Sequence, residues 1–268
     1  MHFGATLRLV RVDTGVSLRD LARRIGVSTA YLSRVEHGHD AAPTPDRLVA
    51  IARALDLPPL LLVELAGQAG PMVSSYMART PAAASLFFDL ARRDLSNAEV
   101  SRLSALVERE FPTDRAERRR AVRLGPLLGA DRVVIDLVCD DMTDVVEIAV
   151  GRFGLRDGAA ARAVADQILA RERETPSRLG SGVALPHALG SHLPSAAALV
   201  ALRRPLGEDT PDRRPVELVV VMTGPAGPRS LELLVHVAHL AGRGLADDLR
   251  GIDQPERVLA RLEALESW

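Results

Sequence analysis

The chain has 268 residues and a formal net charge of −1, with 47% hydrophobic and 26% charged residues. That excludes a disordered chain and a polybasic nucleic-acid coat, and the length predicts two domains at about 100–200 residues each. All 34 basic residues are arginines, and a single cysteine, Cys139, excludes a disulfide framework and suits a reducing compartment.

No apolar run approaches the ~20 residues that span a bilayer, and the N-terminus has no basic-then-apolar signal pattern. A soluble, cytoplasmic protein without a membrane partner is expected. Charge is unevenly spread: residues 1–38 carry six arginines against three acids (Asp13, Asp20 and Glu36), whereas residues 126–268 carry 16 against 21. The split suits a DNA-facing end and an acidic remainder.

Before Gly70 apolar residues recur at helical spacing in four blocks: Leu7 to Val12, Leu18 to Ile25, Ala30 to Val35, and Leu48 to Leu55. Ser17 precedes the second block with Asp20 three residues on, Gly26 breaks it, Ser28 is an N-cap candidate for the third, and Gly38 ends it. Two short helices joined by a glycine turn make a helix-turn-helix. The string VSLRDLARRIGVSTAYLSRVEHG (residues 16–38), with the following LVAIARALDLPPLLL, resembles the lambda-repressor/Cro-like (XRE) DNA-binding family over residues 5–66. The resemblance implies a recognition helix from Ser28 to His37. Thr29, Ala30, Ser33 and Arg34 would offer side chains to base edges, with Tyr31 at the backbone-facing edge and Arg19, Arg23 and Arg24 near phosphates. Leu18 stands where relatives place a polar residue, commonly Gln, which removes one common phosphate contact.

Residues 70–82, bounded by Gly, Pro and Ser, read as a joint. Two helices should follow, AAASLFFDLARR and LSNAEVSRLSALVEREF, the second capped by Ser96 and Glu99 and striped by Leu103, Leu106, Val107 and Phe111. They read either as a dimerisation or lever element or, equally, as a helical linker packed on the neighbouring domain. The run Asp114–Arg123 could touch DNA phosphates, although such runs are usually solvated faces.

From Val133 the pattern becomes mixed α/β. Helices are predicted over Thr143–Phe153, Gly158–Arg173 and Ser230–Gly242, with strands in AAALVALRR and VELVVVMTG and a closing amphipathic helix in QPERVLARLEALE. Within RERETPSRLGSGVALPHA (residues 171–188), Gly180 and Gly182 flank a turn, and Pro186 fixes the backbone before His187. A histidine so held at a strand end is positioned and expected to be partly exposed. Its neutral imidazole, near the unperturbed pKa of ~6.5, could accept a phosphoryl group if donors hold the phosphate oxygens.

Arg171, Glu172, Ser177, Gly180, Gly182, Ala184, Pro186 and His187 match without a gap the active-site signature of the EIIA domain, fructose/mannitol/nitrogen type, of the bacterial phosphotransferase system. The resemblance covers about residues 125–268. It implies that His187 is a phosphoacceptor charged by a phosphorylated HPr-type carrier, that Arg171 stabilises the phosphate, and that Ser177 and Ser230 belong to the site. Two residues depart from the pattern. Ser230 stands where many relatives have a second histidine, and Arg178 occupies a position usually small or aromatic. Retained His187 with altered surroundings fits a sensor better than a high-flux transport component.

The sequence therefore predicts a multidomain chain: an all-α helix-turn-helix head (1–70), a helical linker (71–124), and a C-terminal α/β EIIA-like domain (125–268) with a mixed sheet flanked by helices. The expected function is a DNA-binding homodimeric regulator, not an autonomous enzyme, with operator DNA and the phosphocarrier as partners and no cofactor. The alternatives are a component relaying phosphate to an EIIB, a regulator with a degenerate scaffold, and a metal-dependent hydrolase built from His187, His236 and His239. His236 and His239 share a helix face at i,i+3 but lack an accompanying carboxylate motif, so packed or surface histidines are the favoured reading, and no metal site is assigned. His192 should face solvent, and Cys139 should be a small core residue.

Overall fold

The structure is a computed structural model and describes residues 3–111, 122–207 and 210–266. Helices make up the head, and polar residues just ahead of apolar-periodic blocks set where its second and third begin. The helices of the head are α1 (Phe3–Asp13), α2 (Leu18–Arg24), α3 (Thr29–Glu36), α4 (Pro45–Ala54) and α5 (Pro59–Leu65). Ser17 Oγ accepts the Asp20 N–H at 3.0 Å and Ser28 Oγ accepts the Tyr31 N–H at 3.1 Å, each satisfying an orphan donor of a first turn. Gly26 and Gly38 end α2 and α3 at φ of 69° and 73°, the left-handed position that glycine fills without a Cβ clash. Leu7, Leu21, Leu32, Leu48, Ile51 and Leu62 are the buried stripe of these helices. A buried Arg11–Glu36 fork, at 2.5 and 2.8 Å, ties α1 to α3.

The described residues form two compact units. One holds the head together with Arg123–Trp268, and the other is Gly67–Val122. The second unit contains α6 (Ala69–Arg79), α7 (Pro81–Arg92) and α8 (Asn97–Glu110). The stretch read as a joint is therefore mostly helix. Its Pro71 lies in the first turn of α6, where the missing N–H costs nothing, and the break comes at Thr80, before Pro81 starts α7. The Ser96–Glu99 capping box of α8 is complete in both directions. Leu86, Phe87, Phe88, Val100, Leu106, Val107 and Phe111 are exposed on this unit. The arginine run Arg118–Arg120 lies outside the described residues.

The C-terminal domain runs β1 (Val133–Leu137), α9 (Met142–Gly151), α10 (Gly158–Glu174), β2 (Arg178–Gly180), β3 (Val183–Ala184), β4 (His187–Leu189), β5 (Ala196–Leu206), β6 (Val216–Gly224), α11 (Pro228–Gly242), α12 (Leu245–Leu249) and α13 (Pro255–Glu266). Its six strands form one mixed sheet in the order β1-β5-β6-β3-β2, with β4 also pairing β6. β5 and β6 are antiparallel, whereas β1 on β5, and β3 and β4 on β6, are parallel. The β-branched run of β6 is buried throughout Leu218–Gly224, as a strand covered on both faces must be. Cys139, Val145, Val146, Ile168, Val200 and Val221 belong to the core between sheet and helices. Helix α1 of the head lies against α11 and β2, and α5 lies against α11.

Candidate functional site

Helix α3 and its N-cap Ser28 present Ser28, Thr29, Ala30 and Arg34 to solvent, with Tyr31 and Ser33 half-buried beside them and Arg19 exposed on α2. Three of the basic side chains near this face are already engaged. The Arg34 Nε donates to Asp40 at 3.0 Å, and Arg23 pairs with Asp20 at 2.6 Å. Arg24 donates to the Ala54 carbonyl at the end of α4. Arg47 of α4 lies over the Tyr31 ring, 5.3 Å from its centroid, adding a cation at the edge of the helix that sequence spacing did not single out.

The second site is built on a strand-turn-strand. Ser181 and Gly182 turn β2 into β3 with φ of 54° and 76°, the two positive values a two-residue hairpin requires. Leu185 N–H bonds the Ser177 carbonyl, and Pro186 then delivers His187 as the first residue of β4, opposite Met222 of β6. His187 Nδ1 is 2.7 Å from Leu185 O. A carbonyl only accepts, so Nδ1 carries a hydrogen, and Nε2 is left to meet whatever approaches the ring from outside the strand. Nε2 faces Asp13 Oδ2 at 2.8 Å, and the other Asp13 oxygen takes the Arg171 Nε at 2.9 Å. Burial pushes the Asp13 carboxyl up. The His187 hydrogen bond, the charge of His187 and the Arg171 contacts outweigh it and hold Asp13 below the usual carboxylate range. Asp13 is therefore an anion at neutral pH, seated on a histidine and an arginine.

His187 was expected to be partly exposed. It is 1% exposed, in a strand packed on α10 and β6 and with Asp13 of α1 on its Nε2. Arg171 also donates from Nη1 to Thr175 O at 3.1 Å, and its Nη2 is buried with no hydrogen-bond partner among the described residues. The cluster holds one anion, Asp13, between a histidine nitrogen and a guanidinium whose Nη2 has no partner among the described residues.

Residues 126–264 match the family described as "Phosphoenolpyruvate-dependent sugar phosphotransferase system, EIIA 2". The chain belongs to that family. Residues 2–65 match a second description, "Helix-turn-helix domain", so the chain joins a helix-turn-helix head to an EIIA-type domain. A "Nitrogen regulatory protein" of Klebsiella oxytoca is 26% identical over 149 residues, covering 55% of this chain and 86% of that one. An "HTH-type transcriptional repressor RghR" of Bacillus subtilis is 38% identical over 56 residues, covering 21% of this chain and 42% of that one. Among solved structures, the nitrogen regulatory protein IIA-Ntr of Neisseria meningitidis is 26% identical with a TM-score of 0.46, covering 52% of this chain and 98% of that one.

Within the EIIA-type domain the structure brings Arg171 to His187 through Asp13 and gives the two serines other partners. Ser177 Oγ donates to Glu172 at 2.6 Å, its N–H reaches the same carboxylate, and Arg178 pairs with Glu172 from the other side. Ser230 Oγ, at the start of α11, donates to the Pro225 carbonyl at 2.7 Å, leaving it only lone pairs to offer. His236 binds Glu266 at 2.9 Å. Among the described residues no group of three or more His, Cys, Asp or Glu is arranged to hold a metal ion, and no helix is long and apolar enough to cross a membrane. Exposed His192 contacts Gln167 at 3.3 Å. Asp13 is the residue that sequence reasoning missed. Spacing could not reveal it, since it lies 174 positions from His187.

Proposed function

We propose that this chain is a cytoplasmic DNA-binding transcriptional regulator whose EIIA-type domain reports phosphotransferase flux through reversible phosphorylation of His187. The observation that carries the reading is the ring orientation of His187. Nδ1–H is held by Leu185 O, so Nε2 is the nucleophilic atom, and Arg171 stands beside the anion that Nε2 faces. In the transfer Nε2, once clear of Asp13, releases its hydrogen to solvent, and the lone pair so exposed attacks the phosphorus of a phosphoimidazole on an HPr-type carrier. A new N–P bond forms as the carrier's breaks, and that bond's electron pair returns to the carrier nitrogen. The Nδ1 hydrogen stays on Nδ1, donated to Leu185 O, and Arg171 holds the phosphoryl oxygens. Ser177 acts through Glu172 and through its carbonyl bond to the Leu185 N–H to position the histidine, and Ser230 acts at the start of α11.

On this reading residues 1–70 bind operator DNA through Arg19, Ser28, Thr29, Ala30, Tyr31, Ser33 and Arg34 of an XRE-type fold. Residues 71–124 link and dimerise two chains, and residues 125–268 accept phosphate. Two heads about 34 Å apart would engage a twofold-related site, multiplying affinity without new contacts. The test is incubation with phosphorylated HPr. The expected product is an acid-labile, base-stable phosphoimidazole on His187 that the His187→Ala protein does not form. Labelling that survives the substitution overturns the assignment.

A further inference from the structure

We infer that Asp13 is a built-in anionic plug for the His187 site, so that docking of the head and phosphorylation of His187 exclude one another. The inference rests on the phosphoacceptor reading and adds the occupant of the site and its regulation. The Asp13 carboxylate sits on the two groups a phosphoryl group would use. One oxygen lies 2.8 Å from Nε2 and the other 2.9 Å from the Arg171 Nε. A phosphorus atom bonded to Nε2 would lie inside the 2.8 Å gap that Oδ2 now closes. A phosphoryl group of about −2 charge would also face a carboxylate at contact distance. Both anions cannot occupy one cradle.

Access leads to the same exclusion. The His187 side chain is 1% and the Asp13 side chain 6% exposed, so no carrier protein reaches Nε2 while α1 is in place. The head must move before transfer, and the phosphoryl group, once there, denies it the return. Arg171 is suited to both occupants. Asp13 takes its Nε, while the partnerless Nη2 is a spare donor for the third oxygen that a phosphoryl group has and a carboxylate lacks. The plug comes from outside the EIIA-type domain, at the last residue of α1, the first helix of the head.

The experiment measures two quantities on the full chain. The first is the initial rate of labelling by phosphorylated HPr. The second is hydrogen exchange across α1, α5 and α11, where the head meets the domain. In Asp13→Ala and the near-isosteric Asp13→Asn, labelling should accelerate about ten-fold or more, the factor expected when a charge-assisted lock no longer depletes the competent population. Both variants should show raised exchange at the α1 and α11 faces without phosphate, and wild type should gain the same exchange once phosphorylated. Wild-type labelling rates in both variants, together with unchanged protection after phosphorylation, would overturn the plug while leaving His187 a phosphoacceptor. A lack of labelling in wild type and in both Asp13 variants would instead overturn the phosphoacceptor reading beneath it.

Discussion

At the scale of single residues, the two sites depend on side chains already spoken for. If Arg34 reads a guanine, Arg34→Ala should weaken operator binding by about 1–3 kcal/mol and relax preference at one position per half-site. Its guanidinium now lies on Asp40, so reaching a base means leaving that carboxylate. Asp40→Asn should therefore strengthen DNA binding, measured as a lower Kd at one fixed salt concentration; an unchanged or higher Kd would show that Asp40 pre-positions the arginine instead.

Glu172 is buried and satisfies both the Ser177 N–H and hydroxyl as well as Arg178. Glu172→Gln cannot accept from all of them, and a loss of about 1–3 kcal/mol is expected in urea denaturation. Glu266 carries a pH dependence. Burial pushes its carboxyl up, but His236 and the Leu124 and Gly125 N–H groups more than offset this and hold it below its ordinary 4.5. A depressed folded value means that its stabilisation is complete above about 4.5 and is lost as pH falls through that depressed value. The stability difference between wild type and Glu266→Ala should therefore narrow between pH 6 and pH 3 in denaturation curves; a difference that widens on acidification contradicts the sign.

At the scale of elements, the head is held by close approach as much as by its apolar stripe. A Cβ on Gly4 would collide with the Val35 carbonyl at the end of α3, and the Glu36 carbonyl lies 2.8 Å from the same position. Backbone cannot yield as a side-chain tip does. Gly4→Ala should thus cost about 1–3 kcal/mol despite alanine's better helix propensity, read as a lower Tm of the full chain. An unchanged Tm would mean that α1 shifts freely on α3. Helix starts marked by a local side-chain cap, Ser17, Ser28 and Ser96, were legible in the sequence because each cap is completed within three residues. Helix α6 was not: Gly70 and Pro71 look like punctuation, yet both fit a first turn that needs none of their missing features.

At the scale of the whole molecule, docking leaves α3 uncovered, with Thr29, Ala30 and Arg34 facing solvent. The docked head can therefore meet DNA, and what phosphorylation would remove is its fixed hold on the EIIA-type domain. In a dimer the loss falls on the spacing of two heads. Affinity for a two-half-site operator should drop on phosphorylation by 5–150-fold, the usual size of such coupling, while affinity for a single half-site stays the same. The comparison uses phosphorylated, unphosphorylated and His187→Ala protein at one salt concentration, since phosphate contacts make affinity steeply salt-dependent. Equal operator affinity in all three would leave the domain a scaffold.

The sequence by itself determined what short-range chemistry controls. The glycine turn, Pro186 and His187 fall within eight residues, and the two helices of the head carry their own caps and breaks, so both the signature and the helix-turn-helix could be read from spacing alone. Burial of His187 was decided elsewhere. The ring is turned by Leu185 two residues away, but it is covered by Asp13, 174 positions distant and counted in the sequence as one acid among many. A carboxylate becomes a plug when the packing of α1 against α11 and β2 brings it to a histidine and an arginine. That packing depends on two surfaces made by distant segments, and no periodicity within either segment records it.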